Sequence, residues 1–278
     1  MTVTQALAAA TALGLERIDA QLLLLQAFGR AQADRAWLLA HDTDELPELQ
    51  QAQFLQLCQR RASGEPLAYI VGCKEFFGLD LLVDRRVLVP RPDTETLVEW
   101  ALELSAVRND SLAPRVIDLG TGSGAIALAI KKALPRATVH ATDASPEALE
   151  VARENARRLS LGVEFRRASW LAGVEGRYDL IVSNPPYVAA NDPHLAALAH
   201  EPLSALAAGP DGLADIHTIV TQAPAYLRSG GWLLLEHGHD QAPAVRELLA
   251  AAGFQGVASR RDLAGIERCS GGKWLELG

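Results

Sequence analysis

The chain has 278 residues, 49% of them hydrophobic and 22% charged, which is enough for one large folded domain beside a small one and too apolar for a disordered chain. Its formal net charge of −8 argues against a protein that grips nucleic acid by its phosphates, since that requires a basic surface. Cys58, Cys73 and Cys269 are widely spaced with no C-x-x-C pair, and the histidines form no ligand motif, so neither a disulfide framework nor a metal site is expected.

Ala, Leu and Gln dominate up to about residue 70, where apolar residues recur at helical spacing over 6–13, 18–28, 35–40 and 47–62, predicting a helical bundle. Two roles fit that pattern equally: a surface that presents a protein substrate, or a stabilising cap. No basic stretch followed by an apolar one opens the sequence, and Leu22, Leu23, Leu24 and Leu25 are far too few to cross a bilayer, so a cytoplasmic location without membrane contact is expected. Residues 76–89 alternate around Gly78 and around Asp84 and Arg85, which predicts a short β-hairpin joining two domains. Pro92 then opens a helix, with Asp93, Thr94 and Glu95 placed either near a ligand or simply as its cap. Beyond it, strands near Arg115, Thr138, Val163, Tyr178, Gly231, Phe254 and Lys273 alternate with helices. That is an α/β fold, a sheet covered by helices on both faces. The expected division is a helical domain over 1–73, a hairpin linker over 74–91 and an α/β domain over 92–278.

Asp118, Leu119, Gly120, Thr121, Gly122, Ser123 and Gly124 follow a strand and precede an alanine-rich helix over 125–134. Such a turn lets backbone approach a ligand closely. A dinucleotide fingerprint would space its glycines G-x-G-x-x-G around a pyrophosphate. Here glycines stand at 120, 122 and 124 and an acid at 118, which suits a ligand carrying an ammonium and a sulfonium, as S-adenosylmethionine does. Asp143, ending the strand near Thr138, is placed to accept ribose hydroxyls. Its competing role is to cap the helix that Pro146 opens, a task Ser145 can fill alone. Trp170, just past the third strand, either flanks an adenine or belongs to the core.

Asn184, Pro185, Pro186 and Tyr187 follow the apolar run over 178–183. An amide or aromatic amine is a poor nucleophile because its lone pair is delocalised, so an enzyme must hold it against an activated electrophile. An Asn oxygen and a backbone carbonyl can accept both hydrogens of a planar NH2 group and fix its plane. The two prolines keep the corner extended, and Tyr187 offers an aromatic surface. The alternative is an ordinary strand-ending turn.

Together these residues resemble the release-factor glutamine methyltransferases, the HemK or PrmC family of class I S-adenosylmethionine-dependent enzymes. The resemblance extends to Glu75, Phe76, Phe77, Gly78 and Leu79, to Arg91, Pro92, Asp93, Thr94 and Glu95, and to Glu201 and Pro202. It continues through Ala208, Gly209, Pro210, Asp211 and Gly212, then Glu236, His237 and Gly238, then Arg261, Asp262, Leu263, Ala264 and Gly265. It implies a Rossmann-like sheet ending in an antiparallel hairpin. It implies S-adenosylmethionine bound by Asp118, Gly120, Thr121, Gly122, Ser123, Gly124, Asp143, Trp170 and Asn184. Asn184, Pro185, Pro186 and Tyr187 would hold the substrate and carry the catalysis. The implied substrate is the Gly-Gly-Gln loop glutamine of class 1 peptide-chain release factors, methylated on its amide nitrogen in translation termination by a monomeric enzyme. The resemblance also favours substrate recognition as the role of the helical domain. The family often has an acid directly before its third-strand aromatic residue, where this chain has Ser169.

The residues alone leave the exocyclic amine of adenine in DNA or RNA open as the acceptor, since the same loop serves both chemistries. Arg153, Arg157, Arg158, Arg166 and Arg167 are either a solvated helix face or a patch for such a partner. A noncatalytic donor-binding module is disfavoured by the complete turn beside an intact acceptor loop, and a nicotinamide oxidoreductase by the glycine spacing.

Overall fold

The computed structural model describes residues 1–107 and 113–276, and the chain divides into two compact units at Cys73 and Lys74. In the first, α1 (Val3–Ala12), α2 (Arg17–Ala27), α3 (Arg35–Ala40), α4 (Glu48–Ala62) and α5 (Leu67–Val71) contribute to one core. Ala6, Leu23, Leu24, Leu25, Phe54 and Cys58 are fully buried in it. Thr2 starts α1 with a reciprocal cap: its hydroxyl accepts from Gln5 N, and the Gln5 side chain accepts from Thr2 N. Arg61 of α4 reaches Asp19 of α2 at 2.7 Å. Burial pushes the Cys58 thiol up to about 11, which makes it an inert core group. Sequence spacing gives only four helices here. The fifth, α5, is enclosed by Pro66 and Gly72 and is too short to display a period.

The second unit opens with a hairpin of β1 (Cys73–Phe76) and β2 (Leu79–Leu82). It turns on Phe77 and Gly78, both at positive φ, and so lies earlier than the predicted 76–89. Residues 92–94 form a single 3₁₀ turn that leads into α6 (Glu95–Val107). Then come β3 (Arg115–Leu119), α7 (Ala125–Ala133), β4 (Thr138–Asp143), α8 (Pro146–Leu159), β5 (Glu164–Arg167) and β6 (Tyr178–Ser183). The chain continues through α9 (Ala214–Tyr226), β7 (Leu227–Glu236), α10 (Ala242–Ala251), β8 (Gln255–Arg261) and β9 (Glu267–Lys273).

The seven long-range strands form one sheet in the order β5-β4-β3-β6-β7-β9-β8. Alternate residues of the central strands enter opposite cores, as the period of two requires. Val116, Leu180 and Val182 pack with Leu97, Ile126 and Ile130 on one face, while Ile117, Ile181 and Leu233 pack with Ile216, Ile219 and Val245 on the other. β9 runs antiparallel to both neighbours, β7 and β8. It begins at Glu267, ahead of the expected place near Lys273. Its Cys269, Ser270, Gly271 and Gly272 carry no large apolar side chains to mark a strand. No helix among the described residues is long and apolar enough to cross a membrane.

The strand order fixes where a ligand can sit. From β3 the chain moves outward to β4 and β5, then returns to β6 on the other side, so connections leave β3 and β6 in opposite directions and open a crevice at their carboxyl ends. Leu119 and Ser183 are register partners across that pair, and the Ser183 hydroxyl donates to the Leu119 carbonyl at 2.7 Å. Gly120 and Asn184, the next residue on each strand, therefore start two loops side by side.

Candidate active site

A cavity of about 360 Å³ occupies this crevice. It is lined by Gly120, Thr121, Gly122 and Ser123 after β3, Asp143 after β4, Ser169 and Trp170 after β5, and Asn184 and Pro186 after β6. Leu88 and Arg91 line it from the segment after the hairpin, Thr94 from the 3₁₀ turn, and Ser204 and Asp215 from beyond the Asn-Pro-Pro-Tyr loop. Of the residues expected to bind donor or substrate, four lie outside this lining: Asp118, Gly124, Pro185 and Tyr187.

The glycine turn is held from below. Gly120 N and Thr121 N both donate to the Thr142 carbonyl, at 2.8 and 2.9 Å. Gly120 adopts a φ of +70°, and a Cβ there would stand 3.1 Å from the Trp170 ring, so the indole is laid directly against the turn. Asn155 of α8, fully buried, donates to the carbonyls of Leu82 and Ser123 at 3.0 and 2.9 Å and accepts from Leu82 N at 2.7 Å. No local pattern in the sequence marks this residue, because its partners lie tens of positions away.

Asp118 is fully buried at the end of β3. Its Oδ2 accepts from the Thr121 hydroxyl at 2.6 Å and from Ala127 N at 3.2 Å, while Oδ1 has no hydrogen-bond partner. Burial pushes its carboxyl up to about 7, and the negative Asp143 nearby adds to the rise. Asp143 accepts from Gly122 N through Oδ2 and from Ser145 N through Oδ1, both at 2.9 Å. Ser145 caps α8 by accepting from Ala148 N at 3.1 Å, so the helix does not depend on Asp143 for its cap. An acid also reaches the cavity although Ser169 is not one. Asp215, in the first turn of α9, is pushed up by burial and held down by the Trp170 indole N–H.

The acceptor loop is equally well braced. Asn184 Nδ2 donates to the Thr94 hydroxyl at 3.2 Å, which leaves its side-chain oxygen uncommitted. Tyr187 is turned inward: its hydroxyl donates to Glu236 Oε1 at 3.1 Å and its ring packs against the core beside α9 and α10. Burial, followed by the neighbouring Glu236 charge, raises the tyrosine hydroxyl well above its ordinary range. The loop then runs beside residues 206–209, with Val188 N donating to the Leu206 carbonyl at 2.9 Å and Ala208 N donating to the Val188 carbonyl at 3.0 Å. A Cβ at Gly212 would lie 2.2 Å from the Tyr187 carbonyl oxygen, which also accepts from Gln241 Nε2 at 3.1 Å. Glu201, nearly buried, accepts from Val89 N at 3.0 Å and pairs with Arg91, tying two edges of the cavity together. His237 is fully buried, with Nε2 against the Ser270 hydroxyl at 2.8 Å and Nδ1 against the Gly238 carbonyl, and it does not line the cavity.

The residues present fit a nucleoside bearing a cationic tail. The cavity is within the usual size range for a small-molecule site. The aromatic wall of Trp170 and the carboxylate of Asp143 at the end of β4 are the groups such a ligand would engage.

Comparison with known proteins gives a consistent picture. Residues 101–252 match the methyltransferase small domain model and residues 2–72 the PrmC N-terminal domain model. The release factor glutamine methyltransferase of Bordetella pertussis strain Tohama I is 51% identical over 263 residues, covering 93% of this chain and 95% of that protein. Those of Xylella fastidiosa strain Temecula1 and Pseudomonas aeruginosa are each 48% identical, covering 96% and 93% of this chain and 97% and 92% of the respective proteins. Among solved structures, a methyltransferase from Pyrococcus furiosus aligns with a TM-score of 0.54 at 22% identity, over 72% of this chain and 91% of that one. The catalytic domain of hMettl16 aligns with a TM-score of 0.57 at 18% identity, over 82% of each chain. At these identities the structural likeness shows the fold alone.

Proposed function

This chain belongs to the release factor glutamine methyltransferases, and we propose that in the reaction of that family Asn184 is the acceptor that aims the substrate amide. The enzyme transfers a methyl group from S-adenosylmethionine to a glutamine side chain of a release factor. When bound, S-adenosylmethionine supplies an electrophilic methyl group whose departure leaves a neutral thioether.

The observation that carries the reading is the Asn184 hydrogen bond. With Nδ2 committed to Thr94, the side-chain oxygen is the free end of an amide that lines the cavity one residue past the β3–β6 register pair. That oxygen, with the backbone carbonyl of Pro185, accepts the two N–H bonds of the glutamine amide and orients its nitrogen. Both bonds strengthen as positive charge develops on nitrogen, so they favour the transition state over the ground state. The methylated nitrogen is strongly acidic and gives its proton to water or to a nearby carbonyl, so no His, Asp or Glu need act as a base. Pro185 and Pro186 keep the corner rigid, and Tyr187 buttresses it from the core.

On the donor side, Asp143 holds the ribose hydroxyls, Trp170 stacks on the adenine, and the backbone of Gly120, Thr121, Gly122, Ser123 and Gly124 admits the donor closely. Asp118, buried behind the turn and outside the cavity lining, favours the cationic tail by its charge rather than by contact. The glutamine is that of a Gly-Gly-Gln loop in class 1 release factors, recognised through the helical unit over residues 1–73, with 74–91 as linker and 92–278 as the transferase domain. The enzyme acts in the cytoplasm as a monomer and without direct nucleic-acid binding, in keeping with its net charge of −8.

The test combines substrate and residue. Labelled S-adenosylmethionine is supplied with a release factor, its loop Gln→Ala variant, or unmethylated DNA or RNA, using wild type and Asn184→Ala. Label should appear only on the loop glutamine. Asn184→Ala should keep donor affinity within a few-fold and lose about a hundredfold in kcat. Equal loss of donor binding and turnover would contradict the acceptor role, and label on nucleic acid would favour the adenine chemistry.

A further inference from the structure

Beneath the acceptor loop lies a buried acid that the reaction as described above does not use. Glu236 ends β7, is 1% exposed, and receives the Tyr187 hydroxyl on Oε1. Its Oε2 makes no hydrogen bond, and the nearby Thr94 hydroxyl lowers the carboxyl's affinity for a proton. Thr94 is itself 4% exposed and accepts from Asn184 Nδ2. Asn184, Thr94, Glu236 and Tyr187 thus lie in a row with Thr94 and Glu236 buried at its centre, hydrogen-bonded from Asn184 to Thr94 and from Tyr187 to Glu236, and its cavity end is the Asn184 amide.

Hydrogen-bond polarity runs along such a row. A hydroxyl that accepts from an amide NH2 has its own hydrogen to give, and an ionised carboxylate takes it. In that state the Asn184 nitrogen is held toward Thr94 and its oxygen is left for the substrate. A protonated carboxyl offers a hydrogen to Thr94 instead. The Thr94 hydroxyl then turns its own hydrogen toward Asn184, whose amide must present oxygen to Thr94 and NH2 to the cavity. An NH2 group cannot accept from the substrate amide.

We propose that Glu236 is a positioning residue for methyl transfer: acting through the Thr94 hydroxyl, it sets which end of the Asn184 amide faces the cavity, and only its ionised form leaves an acceptor there. This rests on the reading of Asn184 as the acceptor. Burial pushes the Glu236 carboxyl up to about 7, so the switch falls within the working range of pH. The groups facing it are Tyr187 after β6, Asp93 and Thr94 of the 3₁₀ turn, and Arg268 and Cys269 of β9, with Cys269 its register partner. Arg268 favours the ionised form and Asp93 opposes it. Arg268 is already shared between Asp93 at 3.3 Å and Asp262 at 3.2 Å.

The experiment is kcat against pH from about 5.5 to 9 at saturating S-adenosylmethionine and release factor. Wild type, Glu236→Gln, Thr94→Val and Thr94→Ser are compared, with donor affinity measured by calorimetry for each. Wild-type kcat should rise with a one-proton dependence and a midpoint near 7. Glu236→Gln, whose amide donates as the protonated acid does, should bind donor normally and turn over about tenfold or more slowly across the whole range, without the rise. Thr94→Val should lose the rise and Thr94→Ser keep it. A wild-type kcat that is flat between pH 6 and 8.5, or a Glu236→Gln enzyme that keeps either the full rate or the wild-type rise, overturns the proposal. If Glu236→Gln does not fold, the wild-type profile and the Thr94 pair decide alone. A fully active Asn184→Ala would remove the underlying acceptor reading, whereas an inactive Asn184→Ala beside a fully active Glu236→Gln would overturn this inference only.

Discussion

In the proposed donor site, Asp143 would serve the protein and its ligand with one carboxylate. Each oxygen already accepts a backbone N–H, from Gly122 or from Ser145, and a carboxylate has lone pairs left for ribose hydroxyls. Asp143→Ala is expected to weaken S-adenosylmethionine binding roughly 10- to 100-fold in calorimetry, the range set by about 1.5–3 kcal/mol for charged hydrogen bonds. Unchanged affinity would remove it as the ribose ligand. Gly212 bears on the acceptor loop. Its φ of +73° and the Tyr187 carbonyl 2.2 Å from a would-be Cβ mean that Gly212→Ala must displace the acceptor loop. Steady-state kinetics should then show kcat reduced by about tenfold or more, with donor affinity little changed. A wild-type kcat in this variant would mean that the loop's position is not what limits transfer.

At the scale of elements, legibility in the sequence followed the strength of local signals. The helix over 146–159 starts where the sequence places it because Ser145 and Pro146 mark its start, and the strand over 178–183 matches its apolar run, which the structure buries throughout. β9 lies ahead of its expected place and α5 has no counterpart in the spacing, because small residues and short length erase the period. The same rule separates the site residues. Residues 120–123 of the glycine turn, Asp143, Trp170 and Asn184 belong to contiguous motifs, and the fold brings them to one cavity. Asn155 and Asp215 act across 32 or more positions or from another helix, so nothing beside them in the chain announces a role. Tyr187 is legible as part of a motif, but its inward hydroxyl depends on Glu236, 49 positions away. Asn155 also makes an element-scale prediction. Asn155→Leu would leave the Leu82 N–H and the Leu82 and Ser123 carbonyls without their partner, at about 1–3 kcal/mol for each buried group left unpaired. Denaturant unfolding should show a loss of about 3 kcal/mol or more, and a loss below about 1 kcal/mol would mean that α8 is not what anchors β2 and the glycine turn.

For the molecule as a whole, the two buried acids make the donor-free protein sensitive to alkali. Asp118 and Glu236 are both pushed up to about 7, far above their ordinary values near 4 in an unfolded chain. The unfolded state therefore ionises first. Their contribution is intact below about pH 4 and is lost as pH rises through about 7. In thermal melts without donor, Asp118→Asn should gain little over wild type near pH 4 and progressively more up to about pH 8. An advantage that shrinks with rising pH would contradict this. On the proposed donor site, bound donor should narrow the difference, because its positive charge would favour ionised Asp118 across the turn.

The most direct measurement is a crystal structure of the enzyme with S-adenosylhomocysteine and a Gly-Gly-Gln peptide, determined above pH 8. The account predicts the glutamine amide nitrogen within hydrogen-bond distance of the Asn184 oxygen, pointing at the donor sulfur, with Asn184 Nδ2 still on Thr94. A glutamine amide held elsewhere, with Asn184 turned away from the sulfur, would contradict it.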